Sequence, residues 1–338
     1  MRVAVIGAGS WGTALAQVLA GNGHEAVLWA RREEVARGVN EAHRNPRYLA
    51  DATLHASVTA TLSQAEALSG AQAACVVTPS KYLRETARGL APLLGAGTRG
   101  EGLPIVVCSK GVEEGSGLLP IDVMADVLGA RGRFAVLSGP NHAEEVVRGV
   151  PAATVVASPS PDAARLFQDL FATEAFRTYT SDDVCGVELC GAFKNVIAIA
   201  VGLSYGMGFG DNTAALLLTR GLAEMSRLVV ACGGQALTCM GLAGAGDMVA
   251  TCMSRHSRNR RFGEMLAAGG TLADFAAKTH MVAEGAVACK SVARLAEERG
   301  VELPIAQVVR GIVWEGLDAR AAAEALASRP LTTEFHGL

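Results

Sequence analysis

The stretch Arg2-Val3-Ala4-Val5-Ile6-Gly7-Ala8-Gly9-Ser10-Trp11-Gly12-Thr13-Ala14-Leu15 decides the fold. Val3 to Ile6 reads as a short buried strand, and Ser10 to Ala20 reads as a helix. Between them Gly7, Gly9 and Gly12 form a GxGxxG loop. In that setting Gly7 permits the tight turn, Gly9 lets the main chain approach a pyrophosphate, and Gly12 lets helix and strand pack closely. Amides around Ser10 and Trp11 then face an anion at a helix N-terminus, where the dipole favours negative charge. A second strand, Ala26 to Trp29, completes a strand-helix-strand unit. A glycine turn without a ligand is the weaker reading, because every element of the dinucleotide-binding pattern follows in order.

Working outward, β-branched runs recur at Ala74 to Thr78, Ile105 to Cys108, Phe134 to Leu137, Thr154 to Ala157 and Phe176 to Thr180, with a helical segment at Lys81 to Leu94. Strand alternating with helix implies parallel strands joined by crossovers. The alternation stops near Thr180-Ser181-Asp182-Asp183, which resembles a helix cap. Beyond it the pattern is helical throughout, at Val184–Val201, Thr213–Ala231, Ser257–Ala268, Glu284–Arg299, Ile305–Glu315 and Ala319–Ala327. Gly233-Gly234, Gly269-Gly270 and Gly300 read as helix stops. The expected architecture is an α/β Rossmann-like N-terminal domain, residues 1–180, binding a dinucleotide. An all-α C-terminal domain, residues 181–338, would handle substrate and catalysis.

Composition excludes several classes. Thirty Lys+Arg against 33 Asp+Glu give a net charge of −3, which argues against a nucleic-acid binder or a polybasic membrane anchor. The mean hydropathy of +0.28 raises the membrane question. The longest uncharged run, Asn195 to Gly210, is shorter than the roughly 20 residues a spanning helix needs, and Gly202, Gly206 and Gly208 interrupt it, so no membrane insertion is expected. Gly7, Gly9 and Gly12 likewise break any resemblance of the N-terminus to a signal peptide. The eight cysteines form neither CxxC nor CxxH pairs, so no metal and no disulfide framework are expected, and a reducing cytoplasm is the simplest location. Glycine is overabundant, 39 of 338 residues, which points to many turns or to main chain approaching ligands.

Candidate functional residues follow from local chemistry. The second strand ends in Ala30-Arg31-Arg32 where an NAD site normally has a carboxylate. Two guanidiniums suit a 2′-phosphate and favour NADP(H), although Glu33 and Glu34 leave NAD(H) open and both arginines could simply be solvated. Pro79, Lys110 and Gly139-Pro140-Asn141 each follow a strand end, where open parallel sheets bind ligands. Lys194 lies on an otherwise apolar segment, Gly191-Ala192-Phe193-Lys194-Asn195-Val196-Ile197, where it either snorkels to the surface or works in a cleft.

Ser257-Arg258-Asn259-Arg260-Arg261 breaks a local rule, because Ser257 reads as a cap and arginines then fill the first helical turn. A phosphate held by Arg258, Asn259 and helix amides would relieve the conflict; a salt-bridged surface or a nucleic-acid patch are the alternatives. Gly246-Asp247 supplies either a carboxylate or an ordinary helix start. The seven histidines form no cluster, and His142 beside the Gly139-Pro140-Asn141 turn reads as structural rather than catalytic.

With these residues in hand, nearly the whole chain resembles the bacterial NAD(P)-dependent glycerol-3-phosphate dehydrogenases. The glycine loop carries the resemblance together with Ser109-Lys110-Gly111, Ser138-Gly139-Pro140, Gly191-Ala192-Phe193-Lys194-Asn195, Thr219-Arg220-Gly221-Leu222-Ala223-Glu224-Met225, Gly246-Asp247, Ser257-Arg258-Asn259-Arg260-Arg261 and Ala283-Glu284-Gly285. It implies reversible hydride transfer between NAD(P)H and dihydroxyacetone phosphate, giving sn-glycerol 3-phosphate for glycerophospholipid synthesis. Lys194 would be the catalytic acid/base, and Lys110, Gly139, Asn141, Asp247, Ser257, Arg258 and Asn259 would contact substrate. Ser10, Trp11, Arg31, Arg32, Tyr48, Lys110, Ala143, Arg258, Val282 and Glu284 would contact cofactor. One departure stands out: relatives resemble Gly-Pro-Ser followed by an aromatic, where this chain has Gly139-Pro140-Asn141-His142. Another two-domain dehydrogenase, phosphogluconate-like or ketopantoate-like, is the nearest alternative, and a non-catalytic NADP(H)-sensing module the next. Apolar helix faces in the second half are compatible with a homodimer as well as with core packing.

Overall fold

The computed structural model describes residues 1–94, 102–129, 133–255, 257–279, 283–331 and 333–334. They form two compact units, Met1–Lys110 with Pro120–Val184, and Gly111–Leu119 with Cys185–Leu338. Nothing in the composition marks Gly111–Leu119 as belonging with the second unit; there the Gly115 carbonyl accepts a hydrogen bond from Arg294 at 2.9 Å.

The first unit runs β1 (Arg2–Ile6), α1 (Ser10–Gly21), β2 (Glu25–Trp29), α2 (Glu33–Ala42), β3 (Val58–Thr61), α3 (Gln64–Leu68), β4 (Ala73–Val76), α4 (Leu83–Leu90) and β5 (Ile105–Val107). It continues with α5 (Pro120–Leu128), β6 (Phe134–Ser138), α6 (Ala143–Val146), β7 (Ala152–Ala157), α7 (Pro161–Phe171) and β8 (Phe176–Ser181). The eight strands form one sheet in the order β3-β2-β1-β4-β5-β6-β7-β8. Chain order reverses between β1 and β4, so the sheet opens there outside its carboxyl ends, the place where such folds take ligands. Val3 and Val5 join Leu15 and Leu19 of α1 in one core cluster, while Ala4 and Ile6, which point to the other face, are also fully buried. Both faces are therefore covered, as a parallel sheet requires.

One strand departs from the parallel expectation. β7 runs antiparallel to β6, whereas β8 is parallel to β7. The link from Ser138 to Ala152 carries only the four-residue α6, too little helix to build a crossover over the sheet. The helix expected over Lys81–Leu94 is shorter than its apolar pattern, α4 ending at Leu90 after a 3₁₀ turn at Ser80–Tyr82. β4 ends at Val76, and Val77 and Thr78 lead into that turn rather than extending the strand.

The second unit is helical: α8 (Val184–Gly206), α9 (Asp211–Ala231), α10 (Asp247–Met253), α11 (Arg258–Ala267), α12 (Leu272–Thr279), α13 (Glu284–Arg299), α14 (Pro304–Trp314) and α15 (Ala319–Ala327). A 3₁₀ turn at Ala236–Met240 and a π turn at Leu242–Gly246 precede α10. The uncharged run seen in the sequence is the second part of α8, which at 23 residues is long and apolar enough to cross a membrane. Yet 94% of its apolar window is buried inside the fold, as befits a helix enclosed by others.

Glycines achieve that enclosure. Gly233, Gly269 and Gly300 follow helix ends with positive φ, whereas Gly202, Gly263 and Gly285 lie inside α8, α11 and α13. A Cβ on Gly202 would stand 2.0 Å from the Arg260 carbonyl oxygen, and one on Gly263 would stand 2.2 Å from that of Ile199. One on Gly285 would meet the Asn195 carbonyl at 2.5 Å. The backbones of α11 and α13 thus lie directly on α8, a separation no side chain would permit.

Candidate active site

The glycine loop follows β1 and opens α1. Two of its glycines are demanded by the protein itself. Gly7 has φ +127° and a Cβ there would lie 2.7 Å from the Val77 carbonyl oxygen, on the far side of the sheet opening. A Cβ on Gly12 would fall 1.8 Å from the Gly7 oxygen. Gly9 is different: a Cβ would meet nothing within 4 Å, and its φ of −75° suits any residue. No contact among the described residues requires glycine there, and the open space before the first turn of α1 fits a diphosphate approaching the main chain.

Around the loop, the Ser10 hydroxyl donates to the Tyr48 carbonyl at 3.4 Å, and the Tyr48 ring is 39% exposed. Trp11 packs edge-on against Phe176 with ring centroids 6.3 Å apart. Arg31 and Arg32 are exposed at the end of β2. Glu34, the nearby carboxylate that could have served a ribose, is engaged by Arg47 at 3.3 Å.

The candidates at strand ends do come together within this unit. The Ser109 hydroxyl donates to the Thr78 carbonyl, tying the end of β5 to that of β4. Lys110 Nζ reaches the Gly139 carbonyl at 3.4 Å after β6. Gly139 lies flat against β7, where a Cβ would be 2.9 Å from Thr154 Cα. Asn141 donates its amide to the Ala153 carbonyl at 2.9 Å and leaves Oδ1 without a hydrogen-bond partner among the described residues. Ala143 is buried at the start of α6, and Pro79 opens the 3₁₀ turn.

In the second unit Lys194 is buried, which disposes of the snorkelling alternative. Its Nζ donates to Asp247 Oδ1 at 2.7 Å and to Thr251 Oγ1 at 2.8 Å, and Thr251 Oγ1 donates to the same carboxylate oxygen at 3.1 Å. Asp247 begins α10 without capping it, so its carboxylate is a partner of Lys194 rather than an ordinary helix cap. The π turn before it packs Gly244 against Cys239, where a Cβ would fall 2.1 Å from the Cys239 oxygen, and this close approach places Asp247.

The arginine-rich cap forms as its residues imply. Ser257 Oγ accepts from the Arg260 amide at 3.3 Å. Arg260 turns inward to Glu264 at 2.9 Å, to the Met253 carbonyl at 2.8 Å and onto the Tyr205 ring. Arg258 remains exposed beside the helix N-terminus, and among the described residues no carboxylate pairs with it. The Asn259 side chain is committed internally: Nδ2 donates to Asn195 Oδ1 at 2.8 Å, and Oδ1 accepts from the Gly285 amide at 3.0 Å. Glu284 stands at the first position of α13, and Val282 lies outside the described residues.

Sequence reasoning passed over Thr251, Asn195 and Asn45. Thr251 was findable, since it is four residues beyond Asp247 on the same helix face. Asn195 is linked through Asn259 to the cap that carries Arg258, and only that tertiary contact marks it. Asn45 is 0% exposed yet hydrogen-bonded to the glycine loop, and no local motif announces it.

A glycine loop at the reversal of a largely parallel sheet and a buried lysine–carboxylate pair in a helical unit are the arrangement expected of a nicotinamide-nucleotide dehydrogenase. The comparisons with known proteins narrow this. Family models described as the N-terminus and C-terminus of NAD-dependent glycerol-3-phosphate dehydrogenase match residues 2–164 and 183–324, and the chain belongs to that family. It is 49% identical over 336 residues to the glycerol-3-phosphate dehydrogenase [NAD(P)+] of Corynebacterium jeikeium, covering 99% of this chain and 100% of the relative. Against the Nocardia farcinica protein of the same name it is 47% identical, covering 98% and 99%. The crystal structure of glycerol-3-phosphate dehydrogenase from Coxiella burnetii superposes with a TM-score of 0.90 at 37% identity, covering 97% of this chain and 98% of that one.

Proposed function

We propose that this chain, like the relatives just named, is a glycerol-3-phosphate dehydrogenase that reversibly reduces dihydroxyacetone phosphate to sn-glycerol 3-phosphate with NAD(P)H. The observation that carries the reading is the buried Lys194-Asp247-Thr251 group, which joins α10 to α8, the helix to which Asn259 fastens the Arg258 cap. A proton donor and a phosphate anchor are thereby held in one unit, which suits a small phosphorylated ketone.

When bound, the nicotinamide nucleotide supplies hydride. Lys194 gives a proton to the carbonyl oxygen of the substrate as charge develops there, and takes it back from the hydroxyl in the reverse direction. Asp247 holds Lys194 in place and supplies its counter-charge. Arg258 and the amides opening α11, capped by Ser257, hold the phosphate. Asn259 contributes through its main chain, its side chain being occupied. Lys110 offers an ammonium, Gly139 its main chain, and Asn141 an unpaired acceptor to the substrate hydroxyl; Asn141 thereby fills the place of the serine in relatives.

Gly7, Gly9 and Gly12 shape the loop and Ser10 and Trp11 line it, and the family resemblance assigns Tyr48, Lys110, Ala143, Arg258, Val282 and Glu284 to the cofactor as well. Arg31 and Arg32 favour NADP(H), since Glu34 is already engaged by Arg47. The product would feed glycerophospholipid synthesis in the cytoplasm. The exposed apolar side chains Leu237 and Met240 support a homodimer, and the net charge of −3 speaks against nucleic acid as a partner. Loss of reduced-nicotinamide absorbance on adding dihydroxyacetone phosphate, with NADPH and NADH in parallel, tests the reading. No turnover with either would overturn it, and a higher kcat/KM with NADH would overturn the NADP(H) preference.

A further inference from the structure

Asn45 is buried beneath the glycine loop, and its side-chain amide uses its whole hydrogen-bonding capacity there. Nδ2 donates to the Ala8 carbonyl at 2.9 Å and to Thr13 Oγ1 at 2.8 Å. Oδ1 accepts from the Arg47 and Tyr48 amides, both at 3.3 Å. The orientation is unambiguous, because a carbonyl can only accept and a main-chain amide can only donate.

The residue is placed there by local structure. α2 ends at His43 in the left-handed region, φ 48°, and the Arg44 amide returns to the Gly38 carbonyl at 3.1 Å. The Leu49 amide then closes the turn on the Asn45 carbonyl at 3.2 Å. The Ala8 carbonyl sits just before the first helical acceptor, Gly9, whose oxygen takes the Thr13 amide at 3.0 Å. It has no place in the helix ladder, and Asn45 supplies its donor.

We propose that Asn45 is the positioning residue of the cofactor site: it locks the Ala8 peptide so that the amides from Gly9 to Trp11 stay aimed at the dinucleotide. The same side chain holds the turn carrying Tyr48 against Ser10. The inference rests on the glycine loop being the cofactor site. Asp in this position has no donor for the Ala8 oxygen, Ser has one where two are used, and Gln is longer by a methylene.

The test uses the full chain and NADPH, with binding measured by titration calorimetry. Asn45→Asp is expected to weaken NADPH binding by about tenfold or more, because a buried carbonyl loses its donor and faces a carboxylate. At saturating NADPH, kcat and the KM for dihydroxyacetone phosphate should stay within about twofold of wild type, which is the pattern of lost cofactor binding alone. A purely structural role would lower the melting temperature and leave the affinity of the folded enzyme unchanged.

Thr13→Val removes one acceptor and should weaken NADPH binding severalfold, while Thr13→Ser keeps the hydroxyl and should restore it. This pair decides the matter if Asn45→Asp does not fold. Gly9→Val fills the open space at the loop and separates the two levels of inference. If Gly9→Val loses NADPH while Asn45→Asp and Thr13→Val bind as wild type, the role of Asn45 is overturned and the site stands. If Gly9→Val binds normally, the site reading falls and the inference with it.

Discussion

Lys194 Nζ stands 2.7 Å from Asp247 Oδ1, joining α8 to α10, with side-chain exposures of only 10% and 4%. Such a pair is worth little net, but removing one partner strands the other charge at a cost of about 3–5 kcal/mol. Asp247→Asn is therefore expected to lower both kcat and the urea midpoint. Lys194→Ala should cut kcat by about two orders of magnitude or more with little change in NADPH affinity. A Lys194→Ala enzyme with wild-type kcat would exclude the proton-transfer role.

Arg258 is exposed at a capped helix start, whereas Arg260 in the same turn is held by Glu264. Arg258→Ala should raise the KM for dihydroxyacetone phosphate about tenfold or more, since a charge-assisted contact to phosphate is lost. Ser257→Ala removes the cap and should cost about 1 kcal/mol of stability in a thermal melt. An unchanged KM in the arginine variant would end the phosphate-anchor assignment.

Arg31 and Arg32 are predicted to distinguish the two cofactors. The double change Arg31→Ser with Arg32→Ser should raise the KM for NADPH about tenfold and leave that for NADH nearly alone, because only NADPH carries the 2′-phosphate. Equal effects on both cofactors would assign these arginines elsewhere.

Glu224 of α9 is buried beneath the start of α14, accepting from the Ile305 amide at 2.7 Å and the Ala306 amide at 3.3 Å. Burial pushes its carboxyl up to about 7 from 4.5, the two amides and nearby Arg227 and Arg329 pulling only partly against it. The folded state therefore binds this proton more tightly than the unfolded chain does. Its stabilising contribution is fully present below about pH 4.5 and is lost as pH rises through about 7, an effect of about 3 kcal/mol. Glu224→Gln keeps an acceptor and should flatten this part of the stability-versus-pH curve in urea titrations at pH values across that window. An unaltered slope would show that another group carries it.

Gly202→Ala places a methyl 2.0 Å from the Arg260 oxygen and must part α8 from α11. Overpacking of this kind costs about 1–3 kcal/mol. Because α11 carries Arg258, the variant should also raise the substrate KM, whereas a melt and KM both equal to wild type would contradict the close crossing.

Much of both units was legible where the signals are local. The glycine loop needs only strand, turn and helix in succession, and Ser257 caps the residues immediately after it. β3 escaped notice because Val58-Thr59-Ala60-Thr61 is a half-polar edge strand with only two buried residues. The antiparallel β7 was hidden as well, for its residues suit either direction and only the short link from β6 selects one. Asp247 had two readings in the sequence, a cap or a working carboxylate, and the hydrogen bond to Lys194 chose between them.

The sequence by itself determined the glycine loop, the α/β-then-helical order of elements, the arginine cap and the family, all of which depend on residues a few positions apart or on matching blocks. The tertiary structure decided that Lys194 meets Asp247, 53 residues away, that Asn259 ties α11 to α8 and α13, and that Asn45 underpins the loop. It also gave Gly202, Gly263 and Gly285 a role at helix crossings. Turns and helical periods arise from neighbouring dihedrals and side-chain spacing, but a buried polar partner is selected by which backbones can approach closely enough to exclude water.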